Sequence, residues 1–115
     1  MGLARPIAGR RLLPLYALIE HHGRKSGTVY RTPIVARRTS GGFVLPVPFG
    51  PNTNWVRNVL AAGEATITWK GGRHRVTAPR LVDLATASPS LSPMMRTGAK
   101  RFGISDWLEV RDAGG

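Results

Sequence analysis

The chain has 115 residues, 42% apolar and 20% charged, with no cysteine and a formal net charge of +11. That length and balance describe one globular domain and exclude a disordered chain. The missing thiol excludes disulfides, iron–sulfur ligation, thiolate zinc sites and a cysteine nucleophile, and it suits a reducing cytoplasm.

Fourteen glycines and nine prolines imply frequent turns and short elements, so strands are favoured over a helix bundle. The charge is uneven. Residues 1–40 hold eight Lys/Arg against Glu20, and the rest hold nine against five acids. The first third should therefore meet an anion: nucleic acid, acidic lipid or a phosphorylated small molecule.

Residues 1–14 read as a basic and apolar N-terminal arm containing Pro6 and Pro14. The apolar run Leu12–Ile19 is eight residues long, against about 18 for a membrane span. It leads into Glu20-His21-His22 with no small-residue cleavage site, so no signal peptide is expected. The domain itself is expected over residues 15–111.

Leu15–His22 reads as a strand ended by Gly23, and Gly23-Arg24-Lys25-Ser26-Gly27 as a turn. Thr28–Thr39 is β-rich, with Pro33 marking an edge or a bulge. After the Ser40-Gly41-Gly42 turn, Phe43–Phe49 is a strand loosened by Pro46 and Pro48. A helix is expected over Asn54–Ala62, capped by Thr53 or Asn54 and stopped by Gly63, with Trp55, Val59 and Ala62 on one face. Ala65–Lys70 and Arg73–Val82 form a hairpin around Gly71-Gly72, with His74, Val76 and Ala78 sharing a face. Asp83–Arg101 reads as a mobile flap, a loose loop with a short helix around Pro93–Arg101, before a last strand over Asp106–Arg111. The count is six strands and one clear helix, which close most economically as a small barrel.

Three segments could carry chemistry. In Gly23–Gly27 the glycines admit backbone N–H groups close to an anion, Arg24 can bind it in a fork and Lys25 adds a point charge. The same residues also suit a solvated basic hairpin. Trp55 and Asn58 share a helix face, as pocket walls or as a core tryptophan beside a polar residue. Val47 and Phe49 keep N–H groups that a planar heterocycle could use, or the prolines simply block edge pairing. His21 and His22 face opposite sides of one strand, so they cannot chelate one metal, and no metal site is expected. No paired carboxylates, nucleophile elbow or dinucleotide fingerprint is present. An enzyme with this chain needs a cofactor for its chemistry.

The order of these motifs resembles one family. His-His-Gly-Arg-Lys-Ser-Gly-Thr-Val-Tyr-Arg-Thr-Pro (21–33), a glycine-bounded strand over Gly42–Gly50, Trp55-Val56-Arg57-Asn58, Ala61-Ala62-Gly63 and the hairpin Ile67–Val82 follow the pattern of the deazaflavin-dependent nitroreductases. The resemblance covers about Leu15–Val82, with Trp107–Val110 as a closing strand.

It implies a mainly β split barrel, similar to FMN-binding split barrels, that binds reduced coenzyme F420, a deazaflavin. The phosphate and acidic tail would meet Arg24, Lys25, Ser26, Gly27 and Arg31. The ring would lie near Pro33, Val47 and Phe49, with Trp55 and Asn58 lining the pocket. Such a coenzyme donates hydride from C5 to an acceptor stacked at about 3–3.5 Å, so no catalytic side chain is required.

Tyr30 stands where relatives usually carry arginine. The segment before the last strand lacks the tyrosine cluster of the nitroimidazole-reducing members. The expected acceptor is therefore a flat, hydrophobic, electron-poor molecule such as a quinone, held between a flap carrying Met94 and Met95 and a wall made by the arm and the His21 side of the first strand. Other readings are a non-catalytic carrier of deazaflavin or fatty acid, and an FMN-binding relative. Nucleic acid is not expected as a partner, because clustered exposed aromatics are absent. The positive first third leaves room for peripheral contact with a membrane surface.

Overall fold

The computed structural model describes residues 16–114. The arm over 1–14 and Leu15 lie outside the described residues. The described residues form seven strands: β1 (Tyr16–His22), β2 (Val29–Val35), β3 (Arg37–Arg38), β4 (Gly42–Pro46), β5 (Glu64–Trp69), β6 (Gly72–Asp83) and β7 (Asp106–Asp112). Three helices among the described residues accompany them: α1 (Asn54–Ala62), α2 (Leu84–Ala87) and α3 (Pro93–Phe102). No helix among the described residues is long and apolar enough to cross a membrane.

The strands form one antiparallel sheet in the order β2-β1-β5-β6-β7-β4-β3. The first half of β6 pairs with β5 (Gly72–Thr77), while β7 pairs with Val76–Thr77 and, past the shift, with Arg80–Asp83. Between Thr77 and Arg80 the register shifts, and Ala78 adopts a φ of 53°. Such a bulge bends a strand and increases its twist, so β6 turns the corner and curls the sheet into a half-barrel. Ala78 is exposed and does not share the inner face with Val76, because the bulge interrupts the alternation.

Pro33 sits on β2, an edge strand, where its missing N–H leaves no gap in an interior ladder. The β5–β6 turn is not Gly71-Gly72. Trp69 pairs with Gly72, and the turn residues are Lys70 and Gly71, with φ of 50° and 81°. Two positive φ values make the type I′ turn whose twist matches the flanking strands.

The inner face of the barrel carries Ala17, Ile19, Phe43, Leu45, Ile67, Val76, Leu108 and Val110, and Trp55, Val56 and Val59 of α1 plug it. Thr53 caps α1 by position, while its hydroxyl donates to the Gly50 carbonyl at 2.8 Å. Gly63 ends the helix in the left-handed region at φ 74°. Ala62 is exposed and is not on the buried face.

The largest departure from the sequence reading concerns Asp83–Arg101, where the short helix is present as expected (α3) but the loose surroundings are not. This segment is not a loose flap. It folds as α2, a single 3₁₀ turn (Ser88–Ser90) and α3. Asp83 and Ser92 cap the two helices, accepting from Thr86 N–H at 2.8 Å and Met95 N–H at 3.2 Å. Ala87, Leu91 and Ala99 then pack on Val44 and Trp107 as a second core on the outer face of β4 and β7. Residues alternate between faces along a strand, so Phe43 and Leu45 point inward while Val44 points out. Gly42–Leu45 is buried throughout for that reason. Arg96 donates from Nη1 to the Ser88 and Leu91 carbonyls, at 3.1 and 2.6 Å, and Arg37 Nε donates to the Ser90 carbonyl at 3.2 Å.

Candidate functional site

Two hollows open side by side at the β1–β2–α1 end of the barrel. The first is a polar cleft of about 620 Å³, lined by the Gly23–Ser26 loop, His21, Tyr30–Thr32 and residues Thr53–Trp55 and Asn58 near the start of α1. The second is an apolar groove of about 360 Å³, walled by Tyr16, Pro33–Val35, Pro46–Phe49 and Trp55. Thr32, Thr53 and Trp55 line both. Among the described residues, no carboxylate lines either hollow.

The cleft loop is the β1–β2 hairpin connection. Gly23 N–H donates to the Thr28 carbonyl at 2.8 Å and Gly27 N–H to the Gly23 carbonyl at 3.0 Å. Ser26 Oγ accepts from Thr28 N–H at 3.1 Å. Gly23 is required sterically: a Cβ there would stand 2.9 Å from Ser26 Oγ and 3.2 Å from a Tyr30 ring carbon. Gly27 serves the turn, with φ of 72°, and does not line either hollow.

Arg24, Lys25 and Ser26 all line the cleft. Arg24 Nη1 donates to Asn58 Oδ1 at 2.7 Å. Arg31 also reaches the cleft, where it shares one carboxylate with a second cation: its Nε donates to Glu20 at 2.9 Å, and Arg73 holds the same carboxylate at 3.1 Å. The Arg73 hydrogen bond is the main influence holding the Glu20 carboxyl below its ordinary pKa, with Arg31 adding to it. Arg38 is a structural residue, bound to Asp112 at 2.7 Å and to the Gly42 carbonyl at 3.1 Å. The described cations of the first third are thus divided between the cleft and the scaffold.

Pro33, Val47, Phe49 and Trp55 come together in the groove, as expected. Phe49 is 88% exposed and stands at its rim. The Val47 N–H is not available to a ligand, because it donates to the Asp106 carbonyl at 2.9 Å. Val47 contributes an apolar side chain only. The flap residues Met94 and Met95 line neither hollow, since their segment packs on the far side of β4 and β7.

His21 is the residue that sequence reasoning placed with the acceptor wall, yet it sits in the polar cleft. It and Asn58 are the buried polar side chains of the described chain, 4% and 5% exposed. Asn58 Nδ2 donates to His21 Nδ1 at 3.0 Å, and His21 Nε2 lies 2.9 Å from Thr32 Oγ1. Tyr30, directly across the strand pair, stacks on the imidazole at 5.7 Å. Burial, and secondarily His22, push the His21 pKa below its ordinary value of 6.5. The alternation Ala17, Ile19, His21 was the available signal: it puts an imidazole on the core face, where a partner is required.

Residues 6–101 match the family model described as F420H(2)-dependent quinone reductase. The chain belongs to that family. It is accordingly an F420-dependent oxidoreductase, and its cofactor is coenzyme F420. No curated protein matches the chain significantly.

Among solved structures, an F420-H2 dependent reductase (FDR-A) superposes with a TM-score of 0.60 at 17% identity, covering 84% of this chain and 94% of that one. A second, described as an F420 reductase, gives 0.59 at 12% identity, covering 96% and 93%. A third, described as a domain-swapped dimer, gives 0.55 at 15% identity, covering 89% and 81%. At these identities the likeness carries the fold, and the split barrel of the F420-dependent reductases is the fold seen here.

Proposed function

We propose that the cleft and the groove together hold the reduced deazaflavin, and that the chain passes hydride to a flat, electron-poor acceptor of the quinone class. The observation that carries this reading is their continuity through Thr32, Thr53 and Trp55: a cationic, hydroxyl-lined half runs into an apolar half. A ligand with an anionic tail and a flat ring needs that sequence of surfaces, and sites of roughly 300–1,000 Å³ are usual for such molecules. The cradle at Gly23, closed to any side chain, and the absence of a lining carboxylate fit an anion.

Arg24, Lys25 and Ser26 bind the phosphate and tail, Arg24 as a fork and Lys25 as a point charge. Asn58 orients Arg24. Trp55, Pro33, Val47 and Phe49 exclude water from the ring and offer a face on which an apolar acceptor can lie. Bound there, the coenzyme supplies a hydride from C5. The cationic half of the trough would hold the acidic tail while the ring lies in the apolar half. A completing proton can come from water, as the His21 nitrogens are both engaged.

Replacing Arg24 or Lys25 by alanine is expected to weaken coenzyme binding by about 1.5–3 kcal/mol each, the range for hydrogen bonds to charged groups. The loss should be larger at low salt, where screening is weaker. Fluorescence titration of the coenzyme measures both; unchanged dissociation constants in the two variants would remove the phosphate from this loop.

The activity is tested by anaerobic mixing of protein, reduced coenzyme and menadione, following the return of deazaflavin absorbance. Repeated turnover is expected with the quinone and little with a nitroimidazole. Tight coenzyme binding without turnover on any quinone would leave a carrier, and tighter binding of FMN than of deazaflavin would place the chain in the flavin branch.

A further inference from the structure

We infer that His21 is a positioning residue of the coenzyme cleft: as a neutral imidazole protonated on Nε2, it holds the Asn58 amide in the one orientation that presents an oxygen to Arg24. This rests on the assignment of the cleft to the coenzyme phosphate and tail.

The argument starts from hydrogen-bond direction. An amide nitrogen only donates and an amide oxygen only accepts. Arg24 has only donors, so at 2.7 Å it must face Asn58 Oδ1. The Asn58 nitrogen is then turned to His21 Nδ1, 3.0 Å away, which must accept. A neutral imidazole that accepts at Nδ1 carries its proton on Nε2, and there Thr32 Oγ1 waits at 2.9 Å.

The four residues form one directed chain across β2, β1, α1 and the loop, and each link has a single consistent polarity. No buried side-chain polar atom among the described residues is left without a partner.

Reversing any link propagates. A proton on His21 Nδ1 would face the Asn58 nitrogen, donor against donor. Relief requires the amide to rotate, which turns its nitrogen toward the Arg24 guanidinium. Arg24 then loses its anchor. Burial lowers the His21 pKa, and the charged groups lining the cleft with it, Arg24, Lys25 and Arg31, are all cations, so the imidazole stays neutral; the Asn58 amide then selects the Nε2–H form.

Only Nη1 of Arg24 is used by Asn58 and, at 3.5 Å, by the Asn54 carbonyl. The guanidinium keeps further donors for an anion, now on a side chain whose rotamer freedom is already restricted. Ordering a long side chain in advance lowers the cost of binding.

The test is a double-mutant cycle on coenzyme affinity, with His21→Leu and Arg24→Ala singly and together, plus His21→Gln. If His21 acts through Arg24, His21→Leu weakens binding roughly tenfold in the native background, just under the range for loss of a whole hydrogen bond to a charged group, because Arg24 itself remains. It then changes affinity little once Arg24 is gone. His21→Gln, which can accept from Asn58 and donate to Thr32, should stay within about threefold of the native chain, well under the roughly 1.4 kcal/mol of a tenfold change.

Equal losses from His21→Leu in both backgrounds overturn the inference while leaving the cleft assignment standing. An Arg24→Ala variant with native affinity overturns the cleft assignment, and the inference with it. Long-range ¹H–¹⁵N spectra of the unmodified protein near neutral pH decide the same question without a variant that must fold: an Nε2–H tautomer for His21 is expected, and an Nδ1–H tautomer or an imidazolium overturns the inference.

Discussion

Trp107→Ala is expected to cost the fold about 3–5 kcal/mol, the range for truncating a buried tryptophan. Trp107 is 2% exposed and forms the base of the outer core, where Val44, Ala87, Leu91 and Ala99 meet and Val82, Leu84, Met95 and Ile104 close the sides. Its Nε1 donates to the Ile104 carbonyl at 3.2 Å, which ties β7 to the end of α3. Truncation therefore leaves a cavity and an unpaired carbonyl together.

For a domain of this size the melting temperature should fall by roughly 10–20 °C, read by circular dichroism. The same variant separates two views of the 83–101 segment. Because Trp107 and the helices above it line neither hollow, coenzyme affinity measured well below the variant's melting point should be native. A weakened affinity there would mean that the segment covers the coenzyme after all.

Gly42→Ala is the second large effect, and it comes from close approach and not from backbone conformation. A Cβ at Gly42 would be driven into the Val110 carbonyl oxygen, with Arg111 Cα at 2.8 Å and the Val110 carbonyl carbon at 2.9 Å. These are backbone atoms of the paired strand, so they cannot move aside as a side-chain tip can.

Gly42 pairs with Arg111 at the end of the β4–β7 ladder, and its carbonyl accepts from Thr39 N–H at 2.9 Å and Arg38 Nη1 at 3.1 Å. Separating the strands to admit a methyl group disturbs all of these. A loss at or above the top of the about 1–3 kcal/mol range for overpacking is expected. Gly41→Ala is the control: nothing lies within 4 Å of a Cβ at that position, and a change within about 0.5 kcal/mol is expected. Equal melting temperatures for the two variants would show that β4 and β7 do not approach as closely as described.

Much of the scaffold was legible because it is written in neighbouring residues. The alternation over Tyr16–His22, the Gly23–Gly27 turn, the helix start at Thr53 (without the side-chain cap), the stop at Gly63 and the edge position of Pro33 each follow from local chemistry, and the structure has them. Where local signals competed, the reading slipped. Gly71-Gly72 has the composition of a hairpin turn, but Trp69 pairs with Gly72 and moves the turn back to Lys70-Gly71. The run Arg73–Val82 alternates on paper, but the bulge after Thr77 takes Ala78 off the inner face. A seventh strand, Arg37–Arg38, is too short to announce itself and exists only because β4 pairs with it.

The candidate site shows the same division. Arg24, Lys25, Ser26, Pro33, Phe49, Trp55 and Asn58 carry their chemistry in their own side chains, and the order of their motifs was enough to bring them together as one expectation. Several assignments needed the tertiary structure. They are the outer core that turns Asp83–Arg101 from a flap into a packed cap, the capture of the Val47 N–H by Asp106, the pairing of Arg31 with Glu20, and the place of His21 beneath Arg24. Each depends on a partner distant in sequence, whose presence no local pattern records. By itself the sequence determined which segments extend, turn and stop, because propensity and periodicity act within a few residues. Only the fold decided which polar groups are used up by the protein and which remain for a ligand, because a hydrogen bond or an ion pair consumes a group only when its partner is brought within about 3 Å.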